Sequence, residues 1–301
     1  MTIRFDGRVA IVTGAGGGLG RCHALGLAAR GAKVVVNDLS REGEAPASAL
    51  IVVAEIEAAG GFAMADGADV ANAEQVARMV ARAEASWGGV DILVNNAGLL
   101  RDKSFGKMPL EDFELVVRVH LLGAAVCTQA VWAGMRERKY GRVLFISSSS
   151  GLFGNFGQAI YAAAKAGLIG LMNTLHLEGA RDNIRVNTLA PAAATGMTEG
   201  LLPPEAAALL RPEAVTPAVL FLVSENAPSR IIMGAGAGVF TVAHIEETAG
   251  VYLADAERSP ETIAARFAEI SDAHTAKPVA DAFGQTFKFV AMAKAGGVKE
   301  R

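Results

Sequence analysis

The apolar positions of the chain fall into short β-branched runs separated by longer stretches of helical period. Runs at Val9–Val12, Lys33–Val36, Ile92–Val94, Val143–Ile146 and Ile184–Leu189 read as strands. Their apolar residues are continuous rather than alternating, as in strands covered by helices on both faces. This order predicts an α/β fold, a doubly wound parallel sheet of Rossmann type with a C-terminal extension, and ligands at the carboxyl ends of the strands. After Gly234-Ala235-Gly236-Ala237-Gly238 the chain runs on beyond such a core. A dinucleotide-binding and catalytic domain is therefore expected over 1–245, with an extension, helical in part, over 246–301. In that extension Ser259-Pro260-Glu261 combines a cap, an N1 proline and an acidic first turn, and Ile263, Phe267 and Ile270 give the helix it starts an apolar stripe.

With 301 residues, 51% of them apolar, the chain has material for a large core. Its 28 basic and 31 acidic residues leave a formal charge of -3. That balance gives no electrostatic case for nucleic acid or an anionic membrane, so the expected partner is a small-molecule substrate. Cys22 and Cys127 lie far apart, each in a predicted helix, which favours buried free thiols over a disulfide, and no metal site is indicated. Met1 to Asp6 lacks a signal pattern, no run of roughly eighteen apolar residues is present, and Val298-Lys299-Glu300-Arg301 carries no peroxisomal or lipidation signal. On this reading the protein is expected to be cytoplasmic.

The first strand runs into Thr13-Gly14-Ala15-Gly16-Gly17-Gly18-Leu19-Gly20 and then a helical segment. A glycine turn between strand and helix lets backbone approach a pyrophosphate, and the helix offers unpaired N–H groups and the positive end of its dipole. Gly14, Gly18 and Gly20 fit these roles. Asp38 ends the second strand, where a carboxylate accepts bonds from ribose hydroxyls and repels a 2'-phosphate. Leu39 and Gly17 provide no basic group nearby, so NAD is the expected cofactor rather than NADP; Arg41 is either a phosphate ligand or a solvated loop residue.

Tyr161 and Lys165 share one helix face, and Ser148 follows an apolar strand upstream. An ammonium beside a phenol favours the phenolate, as a general base at neutral pH requires. Ser148 supplies a hydroxyl that holds the substrate oxygen. The expected chemistry is oxidation of an alcohol.

Taken together, Thr13-Gly14 to Gly20, Asp69-Val70, Asn95-Asn96-Ala97-Gly98, Ser148, Tyr161 and Lys165 resemble the short-chain dehydrogenase/reductase family. The resemblance implies that Leu19 belongs to the cofactor turn, that Asp69 and Val70 flank the adenine, that Asn96, Ala97, Gly98 and Pro191 line the cofactor, and that Tyr161 and Lys165 also bind it. It further implies a homodimer or homotetramer formed through the helices carrying His120 and Tyr161. His120 stands where the family usually has an asparagine that supports a proton relay, and it either holds a relay water, carries the proton itself or is a packed histidine. Pro191-Ala192 replaces the family's Pro-Gly.

A closer likeness, carried by Arg101-Asp102-Lys103-Ser104-Phe105, His120 and Gly151 to Gln158, is to family members that oxidise (3R)-hydroxyacyl-CoA. It implies NAD-dependent interconversion of a 3-hydroxyacyl-CoA and its 3-oxoacyl-CoA. Phe153, Phe156, Gln158 and the Met197 to Leu210 segment are expected to line the substrate space. Arg101, Lys103, Lys107, Lys139 and Arg142 are either phosphate contacts for coenzyme A or scattered surface cations. A steroid or other hydrophobic alcohol dehydrogenase is the rival enzyme, and a non-catalytic NAD-binding protein the rival of another class.

Overall fold

Val9–Val12 (β1) pairs in parallel with Lys33–Asn37 (β2) on one side and Ile92–Asn95 (β4) on the other, with Ile11 opposite both Val35 and Leu93. The structure, a computed structural model, describes residues 2–40, 45–196 and 203–297. Phe62–Asp66 (β3), Gly141–Ile146 (β5), Ile184–Pro191 (β6), Ile232–Gly236 (β7) and Val239–Ala243 (β8) complete an eight-stranded sheet of order β3-β2-β1-β4-β5-β6-β7-β8. The strands from β1 to β7 are parallel. Ala237 and Gly238, both at positive φ, turn the chain back from β7, so β8 returns beside it as the second arm of a hairpin.

Helices cover both faces of the sheet. Leu27 of Gly18–Ala28 (α1), Ile56 of Ala47–Ala58 (α2) and Val219 and Leu222 of Thr216–Leu222 (α9) join Val12, Val34, Val36 and Val94 in one buried cluster. Buried residues of Ala73–Trp87 (α3), Gly123–Glu137 (α5) and Ala159–Gly179 (α7) belong to the opposite layer, where α5 packs on β4 and β5 and α7 on β6. The expected α/β sheet is present, with β3, β7 and β8 in addition to the strands read from the sequence.

Strand order reverses direction of travel between β1 and β4, which opens a crevice at their carboxyl ends. Leu110–Val117 (α4) continues into α5 through a π-helical turn, Arg118–Leu122, centred on His120. The helical stretch Leu110–Glu137 is long and apolar enough, by composition, to cross a bilayer. Its apolarity is explained by the face of α5 that holds Cys127, Val131 and Met135 in the core. Cys22 and Cys127 are buried free thiols, and burial pushes them up to about 11 and about 12.

The chain divides into two compact units, Met1–Val242 and Ala243–Arg301. In the second, Glu246–Glu247 (β9) and Lys277–Pro278 (β10) form an antiparallel ribbon. Lys288 of Ala282–Gly297 (α12) donates to Glu247 at 2.7 Å. Ser259 caps Pro260–Ala265 (α10), accepting from Thr262 N at 3.0 Å. The single striped helix expected here is broken: Arg266 leaves helical geometry and Phe267–Ile270 (α11) is a separate turn.

Candidate active site

The turn after β1 folds as its glycines allow. Gly14 and Gly18 hold φ of 62° and 51°, and a Cβ on Gly14 would stand 2.8 Å from Ala97 Cα. Asn96 locks this approach by donating from Nδ2 to Thr13 O at 2.9 Å and Gly14 O at 3.0 Å. Thr13 Oγ1 in turn accepts from the backbone N–H groups of Asn96 and Ala97, both at 3.0 Å. The carboxyl ends of β1 and β4 are thus tied together. Gly17 begins α1 with no side-chain cap, so the first N–H groups of the helix face outward for an anion.

Asp38 lies directly beyond β2 and accepts from Leu39 N at 3.0 Å and Ser48 Oγ at 2.8 Å. A Cβ at Gly16 would fall 2.1 Å from Asp38 Oδ2, so the turn admits this carboxylate only because position 16 is glycine. Ser48 is a structural member of the site that the sequence reading does not name, and Thr13 and Gly16 enter that reading only as members of the glycine-turn motif, with no role of their own. The glycine run held a signal for Gly16, while nothing in the sequence marks Ser48.

A cavity of about 870 Å³ runs along the strand ends, within the usual range for small-molecule sites. Gly14, Gly18, Leu19, Gly20 and Asp38 border it near β1 and β2. Asp69, Val70, Asn96, Ala97 and Gly98 follow, and Ser148, Gln158, Tyr161, Lys165 and Pro191 border it near β5 and β6. The residues present fit a dinucleotide: a glycine cradle against a helix N-terminus, and a carboxylate at the end of β2, three strand spacings, roughly 14 Å, from β5, the strand that leads to Ser148.

Ser148 caps Ser149–Phe153 (α6), its Oγ accepting from Ser150 N at 3.1 Å. Gly151 lets α6 close on α7, since a Cβ there would stand 2.8 Å from Lys165 Cβ. Ser147 Oγ donates to Lys165 O at 2.8 Å, and Lys165 Nζ donates to Ile146 O at 2.5 Å. Burial lowers Lys165 to about 7. It also raises the Tyr161 phenol, opposed by a hydrogen bond with Ser148 and reinforced by the charge of Asp102. The expected lowering of Tyr161 by Lys165 is therefore not the dominant effect here. The ammonium is spent on the Ile146 carbonyl and is itself weakened by burial.

His120 stands edge-on to the Tyr161 ring, centroids 5.3 Å apart. Its Nε2 meets Leu99 N at 3.0 Å and Leu99 O at 2.8 Å. Burial, then Lys165, lowers it to about 3. The imidazole is therefore neutral at physiological pH, which removes the near-neutral titration expected of a proton carrier. His120 Nδ1 and Asn95 Oδ1 have no partner among the described residues, and both residues border a cavity of about 10 Å³, close to the space of one water.

Phe153 and Phe156 do not border the large cavity. They are 79% and 92% exposed, on the outer side of the α6 turn. Gln158 and Asn155 border it instead, as does Leu210. Met197 and Arg41 lie outside the described residues. Two of the five cations considered for phosphate contact are excluded. Arg142 is fully buried, donating to the carbonyls of Gly141, Asn183, Ser224 and Glu225. Lys139 pairs with Asp182, and both cations lie by the amino end of β5, opposite the cavity. Arg101 and Lys103 pair with Asp112 near the site, half-exposed.

A family model described as short chain dehydrogenase matches residues 8–205. The chain belongs to that family. Among curated relatives, the peroxisomal multifunctional enzyme A of Dictyostelium discoideum is 46% identical over 275 residues, covering 90% of this chain and 61% of its own length. A short-chain type dehydrogenase/reductase of Mycobacterium tuberculosis is 47% identical over 276 residues, covering 90% of this chain and 96% of its own. Among solved structures, full-length peroxisomal multifunctional enzyme type 2 from Drosophila melanogaster matches with a TM-score of 0.82 and 38% identity, over 97% of this chain and 50% of that one. A 7α-hydroxysteroid dehydrogenase complexed with NADH and 7-oxo glycochenodeoxycholic acid matches at 0.71 and 33% identity, over 78% and 95%.

The chain is accordingly an oxidoreductase of the short-chain dehydrogenase family. It spans 61% of the Dictyostelium relative and 38% of the mouse multifunctional enzyme type 2. The peroxisomal names of several relatives overturn the cytoplasmic expectation and point to the peroxisome. Near-neutral charge and free cysteines carry no information that separates the two compartments.

Proposed function

We propose that the chain is an NAD-dependent dehydrogenase interconverting a (3R)-3-hydroxyacyl-CoA and its 3-oxoacyl-CoA. The observation that carries this reading is the meeting of Ser148, Tyr161 and Lys165 in the same cavity that begins at Asp38 and the glycine turn. The acyl-CoA assignment is supported by the likeness at Arg101 to Phe105, His120 and Gly151 to Gln158. It is also supported by relatives named peroxisomal hydratase-dehydrogenase-epimerase. A hydratase adds water across a double bond and so makes the secondary alcohol that a dehydrogenase oxidises. The preference for NAD is supported by Asp38, and by Lys165 being the only Lys or Arg among the described residues bordering the cavity.

A bound nicotinamide dinucleotide supplies the hydride acceptor or donor. Tyr161, with its phenol raised by burial, holds a proton ready for a ketone oxygen and, in the oxidative direction, takes one from the alcohol. Lys165 near 7 is charged in a large fraction of molecules at neutral pH, and its cation favours the phenolate that oxidation requires. Ser148, hydrogen-bonded to Tyr161, orients the reacting oxygen between the two hydroxyls. His120, neutral and edge-on, fixes the phenol ring. The family's homo-oligomer through α5 and α7 is part of the proposal, supported by exposed Leu122 at the start of α5 and Leu177 on α7.

The steroid alternative is favoured by one observation, the match to a 7α-hydroxysteroid dehydrogenase. The deciding experiment follows reduced nicotinamide with a panel of (3R)-hydroxyacyl-CoA esters beside the (3S) epimers, hydroxysteroids and NADP. Stereospecific turnover of the (3R) esters with NAD upholds the reading, whereas turnover of steroids alone discards the acyl-CoA substrate.

A further inference from the structure

We propose that Asp102 is a positioning residue that aims the Gln158 carboxamide at a second carbonyl of the substrate, so that the site selects alcohols and ketones carrying a carbonyl two carbons from the reacting carbon. This rests on the dehydrogenase reading above and deepens it to substrate class.

Gln158 is buried to 9% exposure and immediately precedes α7, one helical turn before Tyr161, with which it shares the cavity wall. Its Oε1 accepts two bonds, from Ser150 Oγ at 2.7 Å and Asn155 Nδ2 at 3.1 Å. Its Nε2 donates to Asp102 Oδ2 at 2.7 Å. A carboxylate only accepts, so the amide cannot flip without setting its oxygen against Asp102. Both lone pairs of Oε1 are thereby filled and one N–H of Nε2 is committed. The second N–H has no partner among the described residues and belongs to a side chain that borders the cavity.

The Asp102 loop is itself braced. Lys103 N donates to Gly157 O at 2.9 Å, and Arg101 and Lys103 pair with Asp112 of α4 at 3.7 and 3.3 Å. A donor fixed this way beside Tyr161 and Ser148 suits a β-oxo or β-hydroxy carbonyl compound, whose reacting oxygen sits between the hydroxyls while its other carbonyl meets Gln158. A fixed polar group of this kind rejects an analogue lacking the acceptor far more strongly than an apolar wall does.

The test compares an acetoacetyl thioester with a monoketone of matched length, in the wild type and in Gln158→Leu, Asp102→Ala and Asp102→Asn. Turnover and calorimetric binding in the presence of reduced dinucleotide are both measured. Each variant's monoketone value serves as its own reference. The wild type is expected to prefer the thioester. Gln158→Leu loses that preference by roughly 10-fold or more, mainly in KM, and Asp102→Ala loses a smaller part. Asp102→Asn, whose carbonyl still accepts, retains most of it. A preference that survives Gln158→Leu, or losses equal for both compounds, overturns the proposal. Binding reports the preference even if no compound turns over, and absence of dinucleotide-dependent turnover in the wild type sinks the dehydrogenase reading separately.

Discussion

At the scale of single residues, the proposed function divides cofactor choice and proton transfer between two side chains. Asp38 is held by Ser48 Oγ and Leu39 N with its carboxylate at the edge of the cavity. Replacing it by serine removes the charge that repels a 2'-phosphate. The expected result is a fall of roughly 10- to 100-fold in kcat/KM with NAD and a gain with NADP, a range typical of losing charged hydrogen bonds. Steady-state kinetics with both cofactors reads this directly, and an unchanged ratio would remove Asp38 from cofactor selection. Tyr161→Phe keeps the ring that packs edge-on to His120 but loses the exchangeable proton. Turnover is expected to drop by about 10² to 10⁴-fold, the usual contribution of a general acid-base group, with dinucleotide binding retained by calorimetry. A variant with near-normal kcat would require another proton donor. Asp38, Tyr161 and the glycine turn were legible in the sequence because each role demands one residue type at one kind of place. His120 was legible as a position but not as a charge state, since its lowering to about 3 comes from burial that no sequence pattern displays.

Elements set how closely these residues meet. Gly151 in α6 faces Lys165 in α7, where a Cβ would stand 2.8 Å from Lys165 Cβ and 2.9 Å from its carbonyl carbon. Gly151→Ala therefore forces α6 away from α7 and carries its cap, Ser148, away from Tyr161. A stability loss of about 1–3 kcal/mol is expected from overpacking. It should accompany a lower kcat and little change in the KM for NAD, because the glycine turn rests on β1 and β4 instead. Urea unfolding and kinetics on the same variant check both parts, and full stability with full rate would show that α6 has room to move. The sequence showed Gly151 only as part of a glycine- and phenylalanine-rich stretch, and the neighbouring Phe153 and Phe156 drew the substrate assignment that the fold turns outward. Other elements were illegible for definite reasons. Phe-Ala-Met-Ala-Asp in β3 and Ile-Met-Gly-Ala-Gly in β7 hold too few β-branched residues to stand out. The π turn at His120 inserts a single residue into a helix without altering its apolar spacing enough to be seen. Arg142 read as either a phosphate contact for coenzyme A or a surface cation, yet from within β5 it donates to four backbone carbonyls.

For the whole molecule, acid stability is governed by two histidines locked in opposite layers of the fold. His23 lies in α1, its Nδ1 3.2 Å from Thr216 Oγ1 of α9, and burial lowers it to about 3. His120 is lowered to about 3 on the other side of the sheet. In the unfolded chain both return toward the ordinary histidine value of 6.5. Between about 6.5 and 3 the unfolded state thus binds protons that the native state refuses, and stability falls as pH falls through that window. Each histidine contributes about 1.4 kcal/mol per pH unit to this slope well below the unfolded value. Lys165 acts with the same sign at higher pH, weakening the fold as pH falls from the ordinary lysine value of 10.5 toward 7. Urea midpoints between pH 7 and 5 are therefore expected to drop steeply in the wild type and less steeply in His23→Gln, which keeps a polar group toward Thr216 but takes up no proton. His23 lies outside the cavity, so the variant separates acid stability from catalysis. Parallel slopes in the two proteins would mean that the native state admits the His23 proton and that α1 and α9 open well before the sheet does.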